Sequence, residues 1–184
     1  MKSGIRIIAI DDSKFSPGEK DVLVVGVVER LGIVEGVLSC RVEADGSDAT
    51  AKIIGMLSGS RFLEQIRLIA MNGTTVAGMN LVDITRIHSR FGLPVMAVTR
   101  KRPHPEMLKR SMASIKNRGY LRKAATIDRI SEAAGIDRSG GFYVQHIGIE
   151  KKEVSRYIKN ASESLRLAHM IASGVVRGES KGRL

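Results

Sequence analysis

The chain has 184 residues, 43% of them apolar, with 23 Gly or Pro, one cysteine and no run approaching 18 consecutive apolar residues. That composition suits a single packed domain over residues 1–184 and excludes a disordered or collagen-like chain, an intrachain disulfide and a membrane span, so a cytoplasmic location is expected. Thirty Lys and Arg against 19 Asp and Glu give a net charge of +11, which points to a polyanionic partner.

In chain order, Ile5–Ile10 is a β-branched run expected to form a buried strand ending at Asp11-Asp12. A polar loop with a Pro17-Gly18 turn precedes two further strands, Val22–Val28 and Ile33–Val42, whose short connection predicts a hairpin. The period then changes. Ser47 or Asp48 can cap a helix running to about Ser60, with Ile53, Met56 and Leu57 at helical spacing. Ile66–Met71 reads as a strand, Leu81–Phe91 as a helix closed by Gly92, and Pro94–Thr99 as another strand. The predicted architecture is therefore α/β, with three antiparallel strands followed by parallel strands covered by helices. Pro105–Ser111 and Ser114–Ala125 are expected as basic helices, and Thr126–Ala134 as a short helix or irregular connection. Phe142–Ile147 follows as the last strand, then helices over Glu150–Asn160 and Glu163–Val175, then a polar tail from Arg177 to Leu184.

The charge is confined to one part of this order. Residues 1–99 carry 11 basic and 11 acidic side chains, whereas residues 100–130 carry 10 basic and 2 acidic. The band comprises Arg100, Lys101, Arg102, Lys109, Arg110, Lys116, Arg118, Arg122, Lys123 and Arg129. Backbone phosphates of DNA or RNA are its natural target, because they demand charge and reach without base-specific geometry. A solvated face, or an interface between copies of the chain in a homo-oligomer, is the alternative.

Candidate chemistry gathers where the parallel strands should end, since ligands of open α/β sheets favour that edge. Asp11 and Asp12 point to opposite faces of their strand, so one can meet a cleft and hold Mg²⁺ or Mn²⁺ while the other faces a turn. Asn72, Asp83 and Lys101 are expected on the same edge, with turn and solvated-helix roles as the alternatives for Asn72 and Asp83. Asp45 is either a further metal ligand or a turn residue. His146 is a candidate general acid or phosphate contact if its strand runs parallel to the others. His169 is expected to pack against the apolar stripe of the last helix.

The segments Asp11-Asp12-Ser13, DGSDAT at 45–50, IAMNGTTVAGMNLVDI at 69–84, GLPVMAVTRKRP at 92–103 and ESLRLAHMIASGVVRGES at 163–180 closely resemble the archaeal DUF99 family, also called UPF0215. That resemblance implies a distant relation to endonuclease V, a metal-dependent nuclease of ribonuclease-H-like fold acting at deaminated or altered bases. It places the metal-anchoring first-strand carboxylate at Asp11, less directly at Asp12, and the basic position at Arg100 or Lys101. The Asp of an Asp-Gly pair falls at Asn72-Gly73, where an amide oxygen can coordinate but brings no charge. The function implied is metal-dependent hydrolysis of phosphodiester bonds in nucleic acid, with a catalytically weak nucleic-acid-binding protein of the same fold as the alternative.

Overall fold

The computed structural model describes residues 4–114 and 119–180. Its first three strands, β1 (Arg6–Asp12), β2 (Asp21–Arg30) and β3 (Ile33–Glu43), form an antiparallel meander. β2 is buried over eight consecutive residues because both its faces are covered, whereas β3 is the edge strand and is largely exposed. Helix α1 (Ala49–Ser58) leads to β4 (Ile66–Asn72), a small hairpin of β5 (Thr75–Val76) and β6 (Asn80–Leu81), helix α2 (Ile84–Phe91) and β7 (Val95–Thr99). Helices α3 (Pro105–Ser114) and α4 (Tyr120–Ala133) precede a second hairpin, β8 (Gly135–Ser139) and β9 (Phe142–Ile147), and α5 (Lys151–Arg177) closes the chain.

Seven strands make one mixed sheet in the order β3-β2-β1-β4-β7-β9-β8, with β1, β4 and β7 parallel and every other pairing antiparallel. Alternation along β1 divides the core. Ile8 and Ile10 face the α1–α2 side with Ile53, Leu57, Ile84 and Ile87. Ile7 and Ala9 face α5 with Val154, Ile158 and Leu165. At about 25 cal/mol per Å² of apolar surface, such two-sided burial is the main stabilising term.

The mixed α/β sheet agrees with the sequence, and several boundaries differ. Leu81 lies in β6, because Asp83 caps α2 by accepting from the Thr85 and Arg86 amides. The two helices expected over 150–175 are one, as no Gly or Pro interrupts residues 151–173. Residues 126–133 continue α4. β8 escaped the sequence reading: GIDRS is a polar edge strand without alternating apolar residues. Its tight turn at Gly140-Gly141 sends β9 back, so β9 runs antiparallel to β7. The condition attached to His146 is therefore not met. It sits opposite Met96, two residues below the level of Val98, which pairs with Asn72.

Candidate functional site

At the carboxyl end of the parallel strands, β1 presents Asp11 towards α5 and Asp12 towards the β5–β6 hairpin. Asp11 is only 1% exposed. Its carboxylate is the meeting point of three elements. The Asn72 amide at the end of β4 places Nδ2 3.2 Å from both Asp11 oxygens, and His169 of α5 brings Nδ1 to 3.2 Å from Oδ2. The Asp12 backbone N–H donates to Asp11 Oδ1 at 2.9 Å. A hydrogen bond to Asp11 raises the His169 pKa above its usual 6.5 against the opposing effect of burial. Behind the ring, His169 Nε2 lies 3.5 Å from Ser173 Oγ.

Asp12 meets different surroundings. Its Oδ2 accepts from the Ala77 N–H at 2.6 Å, which ties the hairpin to the strand end. Burial, reinforced by the neighbouring Asp11 charge, raises its pKa from 3.8 to about 6.

The other candidate carboxylates are engaged elsewhere. Asp83 Oδ1 accepts from the Thr85 and Arg86 amides and from Thr85 Oγ1, while Oδ2 pairs with Arg129 at 2.5 Å. Its pKa falls because these hydrogen bonds outweigh burial, which acts in the opposite direction and is the largest single influence. Asp45, in a left-handed conformation at φ 53°, accepts from the Met79 N–H at 2.8 Å and so positions the hairpin. None of these contacts reaches Asp11, and among the described residues no three His, Cys, Asp or Glu side chains form a metal cluster. His146 pairs through Nε2 with Asp137 at 3.1 Å, and Lys151 grips the other oxygen of that carboxylate at 3.2 Å.

The basic band holds cations of two kinds. Lys101 and Arg102 are exposed just past β7, and Arg100 stacks 5.9 Å from the Phe142 ring. Arg110 and Arg122 are exposed on α3 and α4. Lys109 instead clamps the two helices together, reaching Glu106 at 2.7 Å and Asp128 at 2.5 Å, and these partners raise its pKa. Lys123 is buried and donates to the Met79 and Asp45 carbonyls at 2.8 and 3.2 Å, with burial lowering its pKa. It is a structural cation beneath the surface, a role its neighbours in sequence do not disclose. Lys116 and Arg118 lie outside the described residues.

A cavity of about 210 Å³ opens on the α3–α4 side of the same sheet end, between Gly73, Thr75, Ala97, Thr99, Leu108 and Ile127. Gly73 has φ 75° and its N–H donates to the Val98 carbonyl at 3.0 Å. It turns the chain directly after Asn72 at a conformation a side chain would strain. The loop that presents the Asn72 amide thus also walls a mostly apolar cavity, into which His104, Ser131 and Gln145 bring polar groups.

His169 is the site residue that sequence reasoning missed. Its spacing held the signal, since Leu165, Ala168 and Ala172 form the buried stripe and His169 stands four residues after Leu165. A titratable ring on a buried stripe needs a partner, and Asp11 is that partner.

The family described as Endonuclease dU matches residues 3–176. A UPF0215 protein of Methanothermobacter thermautotrophicus is 43% identical over 192 residues, spanning 99% of this chain and 93% of the relative. One from Archaeoglobus fulgidus is 37% identical over 185 residues, spanning 97% of each. Among solved structures, a protein of unknown function from Archaeoglobus fulgidus superposes with TM-score 0.84 at 33% identity over 95% of this chain and 99% of that one. Human ENDOV superposes with TM-score 0.59 at 14% identity over 96% and 86%, a likeness of fold alone. No helix among the described residues is long and apolar enough to cross a membrane.

Proposed function

The chain belongs to the Endonuclease dU family, and from that membership and the Asp11 site we propose that it is a metal-dependent endonuclease acting on nucleic acid near altered bases. The observation that carries the reading is the convergence of the Asn72 amide and the His169 imidazole on the buried Asp11 carboxylate at the carboxyl end of the parallel strands.

The donor set fits a divalent cation in kind. Asp11 supplies carboxylate oxygens, Asn72 an amide oxygen once its side chain turns over, and His169 a ring nitrogen in its deprotonated state. These three would hold Mg²⁺ or Mn²⁺. With one carboxylate among them, affinity should be lower than at a site of two or three acids. When bound, the cation supplies Lewis-acid polarisation of a phosphate oxygen. The chain itself does the rest: the Asp12 amide and His169 fix the Asp11 carboxylate, and the hairpin anchored by Asp12 and Asp45 borders the site. Lys101 and Arg102 draw the phosphate backbone towards the strand ends. The apolar cavity beyond Gly73 is suited to an unstacked base, and an altered base that pairs weakly costs least to extrude.

Incubation of the protein with duplexes bearing deoxyinosine or deoxyuridine, with Mg²⁺ or Mn²⁺, tests the reading. Nicking near the altered base that is lost with chelator supports it, and intact duplex at every metal concentration overturns it. The engagement of Asp83 and Asp45 by other partners favours a second reading, a nucleic-acid-binding protein that keeps the fold with little catalysis. Salt-sensitive binding with intact substrate would select it.

A further inference from the structure

We propose that the groove between α1, α2 and α4 is a phosphate-binding site, in which Arg86 and Arg122, beside Arg129, take a phosphate group carried by a nucleotide or by a nucleic-acid strand. The groove encloses about 290 Å³ and is lined by four basic side chains, Arg86, Arg122, Lys123 and Arg129, against one carboxylate, Asp83. Asp11 and Asn72 are not part of it, so the inference stands apart from the metal site and from cleavage.

The single negative charge is already answered. Asp83 accepts from two amides and a hydroxyl at the start of α2 and pairs with Arg129 at 2.5 Å. That pair, with the Thr126 hydroxyl 3.1 Å from Arg129 Nη2, holds one guanidinium in place at the wall. Arg122 stands seven residues earlier in α4, two helical turns away and on the same face. Arg86 projects from the first turn of α2 opposite. Both are exposed, and neither has an ion-pair partner among the described residues. Lys123 lies beneath, its ammonium donating to the Met79 and Asp45 carbonyls with the Asp45 and Glu43 charges also acting on it, so the open positive charge of the groove is that of Arg86 and Arg122. Two open planar guanidinium groups, Arg86 and Arg122, beside the one already held by Asp83, offer forked N–H donors whose geometry matches phosphate oxygens. An ordinary solvated face would interleave the two signs.

Calorimetric titration of the full chain with sodium tripolyphosphate and, separately, with a single-stranded 12-mer oligonucleotide at low salt tests the proposal. The groove variant carries Arg86→Gln and Arg122→Gln, which leave the Asp83–Arg129 pair intact. A control carries Arg61→Gln and Arg90→Gln, removing equal charge just beyond α1 and in the last turn of α2. Affinity for at least one ligand is expected to fall tenfold or more in the groove variant and less than threefold in the control. Loss with tripolyphosphate identifies a free phosphate compound as ligand, and loss confined to the 12-mer identifies the strand backbone. In the unaltered protein, the ligand that binds should slow phenylglyoxal modification of Arg86 and Arg122, read by mass spectrometry, more than that of Arg61 and Arg90. Equal losses in the two variants, equal protection of the four arginines, or no binding of either ligand overturns the proposal.

Discussion

Asp11 and Asp12 are adjacent, chemically identical and placed at one strand end, yet the pleat sends them to opposite faces of the sheet and into opposite situations. Asp11 meets an imidazole, an amide and a backbone N–H. Asp12 meets one backbone N–H and the field of its neighbour, and its pKa rises to about 6. The difference shows that two acids adjacent in sequence need not share one environment. One side chain gathers donors from three elements, while the other fastens a hairpin.

The strongest way to break that contrast is to exchange the residues' fates. On the proposed function, Asp11→Asn should lower metal-dependent cleavage by about a hundredfold or more, the scale of losing a group that positions transition-state charge stabilisation, while oligonucleotide affinity stays within threefold. Asp12→Asn should keep cleavage within threefold, since its amide oxygen can still accept from Ala77. Equal losses from the two substitutions in a gel assay would erase the functional distinction between the faces.

The acidity of Asp12 sharpens the contrast through stability. Because its folded-state pKa lies above the ordinary 3.8, the folded protein retains a proton that the unfolded chain has released. Stability from this group is therefore greatest below about pH 4 and declines as pH rises through about 6. The total is on the order of 3 kcal/mol. His169 acts in the same direction: its raised pKa contributes stability below its ordinary 6.5 that is lost as pH climbs through the folded value. Urea unfolding in chelator should show a decline between pH 4 and 6 that disappears in Asp12→Asn. A decline unchanged in that variant would assign it to other groups.

Asn72→Asp probes the Asp11 side alone. It replaces an amide donor by a second carboxylate about 3 Å from Asp11, so the protein in chelator should lose stability through like-charge repulsion. A divalent cation relieves that repulsion, and the midpoint of the Mn²⁺-induced rise in melting temperature should shift to about tenfold lower concentration. An unchanged midpoint would separate Asn72 from metal binding.

Which of these features can be read from residues alone depends on how local their causes are. β1 and its terminal carboxylates are legible because a β-branched run ending in two acids is a local pattern. The parallel core of β1, β4 and β7 follows from alternating strands and helices. The direction of β9 is not legible, since it depends on β8, whose polar edge residues carry no apolar alternation. The pairing of His169 with Asp11 spans 158 positions of sequence and requires the unbroken length of α5. Reading that helix as two pieces concealed it. Lys109 and Lys123 look like their basic neighbours because a charge count does not record which cations already have partners.

That last point yields the mildest prediction, carried by a second contrast within the basic band. Lys101 is exposed at the strand end, whereas Lys109 is shared between Glu106 and Asp128. A cation that exchanges water for phosphate releases a counterion, but one already held by carboxylates contributes little to that release. Lys101→Gln should weaken oligonucleotide binding about threefold and reduce the slope of log K against log salt by about one. Lys109→Gln should leave the slope unchanged and lower the melting temperature instead, because α3 and α4 lose their clamp. Equal slope changes in the two variants would mean that the carboxylates release Lys109 when nucleic acid binds, and the whole band would then act as one surface.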